Sequence, residues 1–542
     1  MPSHSVSSSG PGIANTTLAV DSIASGGIEG IAHRRPSIEV AAWCLFYVVI
    51  FTLIQTLSHA AGDLVNDTLE AIAWSQHPAL GYSKHPPFWA WIAFGWFKVF
   101  PFADWSAYLL ASVNGAIGLA CTWSIARRFL NVERATGAML GLMLSATYLC
   151  LAMRINANTI LISLWPATTL AGLRGIERNR LGDGIVAGLL VAACLLSKYF
   201  SVVFLLPLLV TAYFLTGSAK IYRSRSALAC YAVVVLAVIP HLIWLQHNDY
   251  LPFRYANFAT QRIWQASLKE SAFFIVTTAG FVAIGTFAYL LSAGTSLLRL
   301  PAVLASGFTG KRGAIAILVF GPQLVTIALG LAWSSSVRPI YAIPMLFANP
   351  IWIAMAREVH FTARSLRRMR RVVLAIFLVC LTGAPIMTVV FVRNHVRLSV
   401  QPKDEILKLV TDEWHRRFRQ PLRIVSGDED YAIGAPFYSP DNPDYLIGFD
   451  RRVLDDFAMP MAHGPADFDL RLSPWLTMGA IKDRGMAIIC SEEHWSQPTG
   501  CDRLAVQWLG ADTTPIEVSS TEDSIFSGGQ IFKFHVYFLP PG

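Results

Sequence analysis

The chain has 542 residues, of which 54% are apolar and 14% charged, and its mean hydropathy is +0.47. So few charges exclude a soluble cytosolic enzyme, a fibrous protein and a disordered protein. The charges are also unevenly spread, because residues 401–542 hold 22 of the 35 acidic side chains but 13 of the 43 basic ones. The composition indicates a basic membrane part followed by an acidic soluble tail. The net charge of +8 does not indicate a nucleic-acid partner, since the basic residues lie between apolar runs.

The first 36 residues are rich in Ser, Gly and Ala and lack the basic region and apolar core of a signal peptide. We predict that residues 1–36 form a disordered cytoplasmic arm. Residues 37–393 contain apolar segments that can each cross a hydrocarbon core of ~30 Å. About eleven spans are predicted, at 39–58, 104–126, 135–153, 157–173, 183–197, 199–216, 227–246, 271–292, 313–333, 339–356 and 372–392. The apolar stretch 88–101 is either an interfacial helix or a further span.

The basic residues of the connections indicate the orientation. With the N-terminus in the cytoplasm, that side receives twenty Lys and Arg residues, and the opposite side receives eight before the tail. The positive-inside rule therefore predicts a cytoplasmic N-terminus, and an odd number of spans places residues 394–542 outside. We expect a multi-pass protein of a bacterial inner membrane with a periplasmic tail.

The tail, residues 394–542, has a different hydropathy pattern from the rest of the chain. A helical pattern covers 403–419, and strand patterns cover 422–426 and 530–538. The predicted fold class is a polytopic α-helical membrane protein with a C-terminal soluble α+β domain. Cys490 and Cys501 are either a disulfide or two thiols in an oxidising compartment. No zinc-binding spacing, phosphate-cradling glycine loop or serine-nucleophile motif occurs in the sequence.

The first external connection concentrates acidic residues. Asp63, Asp67 and Glu70 are three of the thirteen acidic residues in the first 400, and Lys84 and His85 follow them. Such groups at a membrane edge serve proton transfer or hold a metal ion, and a divalent cation is compatible with the pattern but not required by it. The alternative is that Asp67 or Asp63 caps a short helix 68–76, with Glu70 in its first turn. A cap accounts for one carboxylate but not for all three.

Four motifs follow one another on the same side of the membrane. They are Ala73-Trp74-Ser75-Gln76-His77 with His85-Pro86-Pro87, Arg154-Ile155-Asn156-Ala157-Asn158-Thr159, Leu195-Leu196-Ser197-Lys198-Tyr199, and Pro240-His241 continuing to Asn248-Asp249. Together they resemble the GT-C glycosyltransferases, specifically the relatives of the protein O-mannosyltransferases and of the lipid A aminoarabinose transferase. The resemblance covers roughly residues 40–360 and implies a GT-C-like membrane fold.

The resemblance implies roles for particular residues. The family carries a catalytic Asp in this loop, usually followed by Glu, and the distance to Trp74 matches that Asp to Asp67. Here Thr68 follows, so Glu70, one helical turn on, is the second candidate catalytic carboxylate. A family Asp in the second external loop corresponds to Asn158, which departs from the pattern.

The chemistry of sugar transfer suits these residues. A sugar on a polyprenyl phosphate needs its acceptor hydroxyl deprotonated and its departing phosphate neutralised. Asp67 would act as the base in a direct displacement with inversion. Candidates for binding the donor phosphate are Lys84, His85, Lys198, Tyr199 and Arg338. Competing interpretations are a helix end for Lys198 and Tyr199, and an interface anchor for Arg338.

The expected partners are a polyprenyl-phosphate sugar donor, a glycolipid or protein acceptor such as lipid A or lipopolysaccharide core, and the lipid bilayer, with no nucleic acid. Two other classes stay open. An O-antigen ligase would place its key Arg and His residues in a large late external loop. A polytopic transporter would show repeated halves with interrupted spans, and no internal repeat is visible.

Overall fold

The computed structural model describes residues 21–59, 63–393, 402–448, 470–492, 500–510, 512–520 and 531–542. The first helix begins at Asp21, within the segment 1–36 for which disorder was predicted, and residues 1–20 lie outside the described residues. Once a helix is nucleated in an apolar span, each further residue adds one hydrogen bond at little cost. The helix therefore extends N-terminally beyond the apolar segment that predicts it.

Helices make up the part of the chain up to residue 393. Their bounds are α1 Asp21–Ser58, α2 Asn66–Ser75, α3 Phe88–Phe97, α4 Asp104–Ala126, α5 Val132–Met143, α6 Ala146–Leu149, α7 Leu161–Arg178, α8 Leu181–Ser197, α9 Val202–Thr216, α10 Arg225–His247, α11 Leu251–Thr260, α12 Trp264–Ala293, α13 Leu300–Ala305, α14 Gly310–Ala332, α15 Asn349–Ala354 and α16 Ala363–Arg393. The 3₁₀ segments of this part are Leu151–Met153, Tyr199–Ser201, Ala219–Arg223, Leu297–Arg299, Ser306–Phe308 and Pro339–Ala348.

Seven helical segments of the described residues are long and apolar enough to cross a membrane. They are Pro36–Ser58, Asp104–Ala126, Tyr199–Thr216, Arg225–His247, Trp264–Ala293, Gly310–Ala332 and Ala363–Val390. The predicted polytopic helical class is therefore confirmed, and the count of eleven spans stays a prediction. Helix α3 has ten residues, about 15 Å of helix, which is too short to cross the bilayer and fits the interfacial alternative for 88–101.

Small residues permit close packing between apolar helices. Helix α8 lies against α10, and a Cβ added at Gly184 would lie 2.2 Å from the carbonyl oxygen of Ser226. A Cβ added at Gly188, one turn further, would lie 2.7 Å from the carbonyl oxygen of Cys230. Two glycines four residues apart on α8 thus bring the backbones of the two helices into contact, as is common where apolar helices associate in lipid.

The C-terminal region forms a mixed sheet with flanking helices. The elements are α17 Lys403–Arg417, β1 Ile424–Gly427, α18 Glu429–Ala432, α19 Ala435–Tyr438, β2 Asp444–Tyr445, a 3₁₀ turn Leu470–Leu472, α20 Met478–Arg484, β3 Met486–Ser491, α21 Cys501–Leu509, β4 Ile516–Ser519 and β5 Lys533–Leu539. The strand order is β2-β1-β3-β5-β4, with β1 parallel to β2 and β3, and β5 antiparallel to β3 and β4. The helix predicted at 403–419 corresponds to α17, and the predicted strands correspond to β1 and β5.

The centre of this sheet is fully buried. All six residues of β3 are inaccessible to solvent, as expected for a central strand covered on both faces. A disulfide joins Cys490 of β3 to Cys501 at the start of α21, which decides between the two alternatives for this pair. On the membrane side, Phe437 of α19 contacts the rings of Phe97 and Phe102, so the sheet region rests on the helices around α3.

Candidate active site

Helix α2 positions the first candidate carboxylate. It begins at Asn66, two residues before the predicted helix 68–76, and its N-cap residue is Val65, without any side-chain cap. The alternative that Asp67 or Asp63 caps this helix is therefore wrong. Most of α2 is buried, but the side chain of Asp67 in its first turn is 46% exposed. Asp67 is thus held on a buried helix while its carboxylate stays accessible.

The segment 154–159 presents hydrogen-bond donors to this carboxylate. Asn156 Nδ2 donates to Asp67 Oδ2 at 2.8 Å, and a guanidinium nitrogen of Arg154 lies 3.8 Å from the same oxygen. The Asn156 side-chain oxygen accepts from the backbone N–H groups of Asn158 and Thr159, both at 2.9 Å, which orients its amide. Asn156 therefore has two roles: its side-chain oxygen stabilises the local turn, and its side-chain nitrogen binds Asp67.

Thr68 stands at the position where the resemblance leads us to expect a second carboxylate, and it makes a defined hydrogen bond. Its hydroxyl oxygen accepts from the backbone N–H of Ile155 at 3.0 Å. This bond joins α2 to the 154–159 segment directly beside the Asp67–Asn156 contact. Thr68 thus helps to fix the two segments relative to each other, and it supplies no charge.

Cations lie close to Asp67. Lys198 Nζ donates to Asn158 Oδ1 and lies 4.7 Å from the ring centre of Tyr341. Burial lowers the pKa of Lys198 to about 8, the charge of Asp67 opposes this, and the charge of Arg338 lowers it further. Asp67 and Arg338 therefore both lie within electrostatic reach of Lys198. Arg338 is exposed.

The second candidate carboxylate is in a different situation. Glu70 is buried, and its Oε1 lies 2.9 Å from Lys84 Nζ. The same ammonium contacts Glu429 Oε1 of the C-terminal region at 2.8 Å. Burial raises the pKa of Glu70 to about 7; Glu429 adds to the rise, and Lys84 opposes it. Burial alone would lower the pKa of Lys84, but the two carboxylates hold it well above its usual value.

His85 lies in an aromatic environment. Its ring is 6.3 Å from Trp74, 5.8 Å from Trp89 and 6.4 Å from Tyr255, measured between ring centres. Burial lowers the pKa of His85 to about 3, and the positive charges of Lys198 and Lys84 act in the same direction. His85 is therefore neutral at pH 7, so it can donate a hydrogen bond to a phosphate but cannot neutralise its charge.

Tyr199 belongs to a hydrogen-bonded chain. Its hydroxyl lies 2.7 Å from His241 Nε2, and His241 Nδ1 lies 2.6 Å from the carbonyl oxygen of Leu80. Because a carbonyl only accepts, Nδ1 carries the proton, and in a neutral ring Nε2 accepts from Tyr199. At Gly81 a Cβ would lie 2.3 Å from the ring of Trp244, so only glycine permits this approach. These contacts hold the α2–α3 loop, residues 76–87, against α10.

The structure thus brings most of the predicted residues to one region and adds some that the sequence reasoning missed. Asp67 and Arg338 each act electrostatically on Lys198, Glu70 and Lys84 form an adjacent pair, and Tyr199 lies on the hydrogen-bonded chain through His241. The residues missed are Glu429, for which no local signal exists, and His241, which stands in a recognised motif without an assigned role. Among the described residues no group of three or more His, Cys, Asp or Glu side chains is placed to hold a metal ion.

The chain is similar in sequence to known glycosyltransferases. Residues 84–244 match the model of the dolichyl-phosphate-mannose-protein mannosyltransferase family. The lipopolysaccharide core galacturonosyltransferase RgtB of Rhizobium johnstonii is 24% identical over 436 residues, 76% of this chain and 85% of that protein. The lipid A galacturonosyltransferase RgtD of the same organism is 28% identical over 217 residues, 38% of this chain and 44% of that protein.

Solved structures share the fold. ArnT from Cupriavidus metallidurans in the apo state superposes with a TM-score of 0.58 at 12% identity, over 93% of this chain and 99% of that one. Together, these comparisons support a glycosyltransferase of the GT-C superfamily. ArnT of the same organism bound to undecaprenyl phosphate also matches this chain, with a TM-score of 0.54 at 14% identity, over 92% of this chain and 99% of that one. The likeness in fold therefore extends over nearly the whole length of the chain.

Proposed function

We propose that the transferase moves a sugar from a polyprenyl-phosphate donor to a lipid A or lipopolysaccharide-core acceptor. The observation that carries this proposal is an accessible carboxylate, Asp67, within electrostatic reach of the buried Lys198, on which the charge of Arg338 also acts. Such an arrangement supplies a base for an acceptor hydroxyl and positive charge for a departing phosphate. The donor class is supported by the ArnT structure with undecaprenyl phosphate, and the acceptor class by the names of RgtB and RgtD.

In the proposed reaction Asp67 takes the proton of the acceptor hydroxyl as its oxygen attacks the anomeric carbon. The bond between that carbon and the phosphate oxygen breaks, so the sugar configuration is inverted and polyprenyl phosphate leaves with an added negative charge. The hydrogen bond from Asn156 leaves the other oxygen of Asp67 free for the proton. The guanidinium of Arg154, at 3.8 Å, places a positive charge beside this carboxylate.

Phosphate binding is divided among the predicted residues according to their charge. Lys198 and Arg338 carry the positive charge that stabilises the leaving phosphate. Neutral His85 contributes a hydrogen bond. Lys84 has its charge matched by Glu70 and Glu429, so it supports the loop beside the phosphate, and Tyr199 orients that loop through His241.

The location of this chemistry is part of the proposal. We place the site at the periplasmic face of the bacterial inner membrane, with a cytoplasmic N-terminus, about eleven spans over residues 37–393 and a periplasmic α+β domain over residues 394–542. The excess of basic residues in alternate connections supports this orientation. At that face nucleotide sugars are absent, which favours a lipid-linked donor.

Donor choice in a purified system tests the function. The protein in detergent or nanodiscs would be incubated with lipid A and either an undecaprenyl-phosphate-linked sugar or the matching nucleotide sugar. A galacturonosyl donor is the first choice because RgtB and RgtD are named for that sugar. We expect a mass increment of one sugar on lipid A with the lipid-linked donor, and no product with Asp67→Asn. Transfer from the nucleotide sugar in place of the lipid-linked one would refute the proposal.

A further inference from the structure

The C-terminal region is held directly on the α2–α3 loop. Gln76 Nε2 donates to the carbonyl oxygen of Pro436 at 3.0 Å, and His77 Nε2 lies 2.6 Å from Asp444 Oδ1. The imidazole of His77 also stacks on the indole of Trp475, with 5.0 Å between ring centres and parallel planes. The loop that carries Lys84 and His85 is therefore fixed from two sides, by α10 and by the C-terminal region.

The innermost of these contacts is the Lys84 clamp, which we define as Glu70, Lys84 and Glu429. The ammonium lies 2.9 Å from one carboxylate and 2.8 Å from the other, and the Lys84 side chain is only 10% exposed. Glu429 comes from a part of the chain 345 residues away. A buried ammonium with two carboxylates is held in a defined position, because leaving either contact would expose an unpaired charge to a poorly solvated site.

The backbone before Glu429 is built to place it. Gly427, the last residue of β1, has φ +123°, and a Cβ there would lie 2.0 Å from the carbonyl oxygen of Ile489, so the end of this strand requires glycine. Next, Asp428 Oδ2 accepts from both the backbone N–H and the hydroxyl of Ser491, at 2.6 and 2.7 Å. Glu429 then begins α18. The turn is thus anchored to the central strand β3, so the Glu429 carboxylate is presented from a rigid base.

We propose that Glu429 is a positioning residue for sugar transfer: with Glu70 it holds Lys84 and so keeps the His85 segment in its productive place. This inference rests on the proposed function of Asp67 and its neighbours. It means that the C-terminal region completes the site from outside the membrane part, and that docking of this region is a condition for rapid transfer. Small displacements of groups that orient a reaction have large effects on rate.

The charges of the clamp predict a change in the pH dependence of transfer, which a residue that only attaches the C-terminal region to the loop would not cause. Glu70 of α2 is faced by Lys84 from the loop, by Glu429 from α18 and by Asp67 from its own helix. Tyr255 of α11 also faces Lys84. Because Glu429 raises the pKa of Glu70, removing its charge lowers that pKa. The clamp needs Glu70 in its ionised form. The fall in kcat at low pH, the acid limb of the rate profile, should therefore track the pKa of Glu70.

The test compares Glu429→Gln with Asp444→Asn in the full-length protein. Asp444→Asn also removes a carboxylate that ties the C-terminal region to the loop, at His77, but it does not touch the clamp. We expect Glu429→Gln to lower kcat by about tenfold with the KM for the lipid-linked donor changed less than about twofold, and to move the acid limb to lower pH. Glu429→Asp should recover part of the rate. Asp444→Asn should leave the position of the acid limb unchanged.

Two outcomes would overturn the inference. One is a Glu429→Gln enzyme with kcat within about twofold of wild type and an unshifted acid limb. The other is an equal loss of rate in both variants with identical pH profiles, which would make Glu429 one anchor among several.

A second measurement separates this inference from the proposed function. The rate at which the Lys84 amine is acetylated in the full-length protein can be measured by mass spectrometry of its peptides after digestion. This measurement needs no transfer activity. Loss of Glu429 should make Lys84 react several times faster, because its pKa falls and its contact is lost, whereas Asp444→Asn should not. A wild-type protein inactive with every lipid-linked donor would refute the proposed function alone. An unchanged Lys84 reactivity in Glu429→Gln would refute the clamp.

Discussion

Asp67→Asn removes one negative charge and changes almost nothing else in the shape of the site. The asparagine oxygen can occupy the place of Oδ2 and accept from Asn156 Nδ2, so the 2.8 Å hydrogen bond to the 154–159 segment is kept. Val65 and not Asp67 is the N-cap of α2, so no cap is lost. The substitution therefore isolates the ability of this side chain to take a proton.

Asp67→Asn should cost much less in folding stability than in transition-state stabilisation. The ion pair with Arg154 is long and both side chains are nearly half exposed, so its loss costs at most about 1 kcal/mol of stability. Loss of a negative charge in the first turn of α2 costs a further ~0.3–1 kcal/mol. A general base contributes ~10²–10⁴ in rate, equivalent to ~3–5 kcal/mol of transition-state stabilisation. Activity should therefore fall far more than stability.

The assay is single-turnover transfer at saturating lipid-linked donor, with the melting temperature and donor affinity measured on the same preparation. Glu70→Gln and Asp63→Asn are the matched controls. Glu70→Gln should cost less than Asp67→Asn because Glu70 acts through Lys84. Asp63→Asn should cost least, since burial raises the pKa of Asp63 to about 7 and its Oδ2 only accepts from the backbone of Asp404.

The reasoning would be refuted by a well-folded Asp67→Asn protein that turns over within about threefold of wild type while either control is inactive. In that case the base is a different carboxylate, and Asp67 is not the residue that corresponds to the catalytic Asp of the resembled family. Loss of folding in Asp67→Asn would contradict the small stability cost derived above.

Two further predictions concern charge and orientation. Since burial lowers the pKa of Lys198 to about 8, affinity for undecaprenyl phosphate should weaken as pH rises through 8, by up to about tenfold per pH unit, because the charged form is lost. Lys198→Arg should remove this dependence, and parallel curves for the two proteins would refute a phosphate contact. For orientation, Arg416→Cys, with a side chain 70% exposed, should react with an impermeant thiol reagent in cells with a permeabilised outer membrane. Arg178→Cys should react only after lysis of the inner membrane, with wild type as the background, and the opposite pattern would reverse the topology.

Much of the molecule follows from local properties of the chain. Apolar runs identify helices because each must satisfy its own backbone hydrogen bonds in lipid, and the predicted span 104–126 coincides with Asp104–Ala126. The short apolar run after Pro87 fits an interfacial helix, as its length alone suggests. Asp67 could also be singled out, because acidic residues are rare before residue 400 and three of them cluster in one loop.

Roles that depend on partners could be predicted only in part. Lys84 and His85 are adjacent in the sequence and carry the same expectation, yet one is paired with two carboxylates and the other lies among aromatic rings. Asn158 departs from the family carboxylate, and its oxygen instead accepts from Lys198. Each outcome depends on side chains that approach from other helices, which residue types and spacing do not specify.

By itself, the sequence determined the membrane class, the strand and helix patterns of the C-terminal region and the loop in which the acidic residues lie, because hydropathy and periodicity are properties of neighbouring residues. Only the tertiary structure decided which charges meet. Asn156 reaches Asp67 across 89 residues and Glu429 reaches Lys84 across 345. Protonation and ion pairing depend on burial and on charges within a few ångströms, and these are set by packing between segments that are distant in the chain.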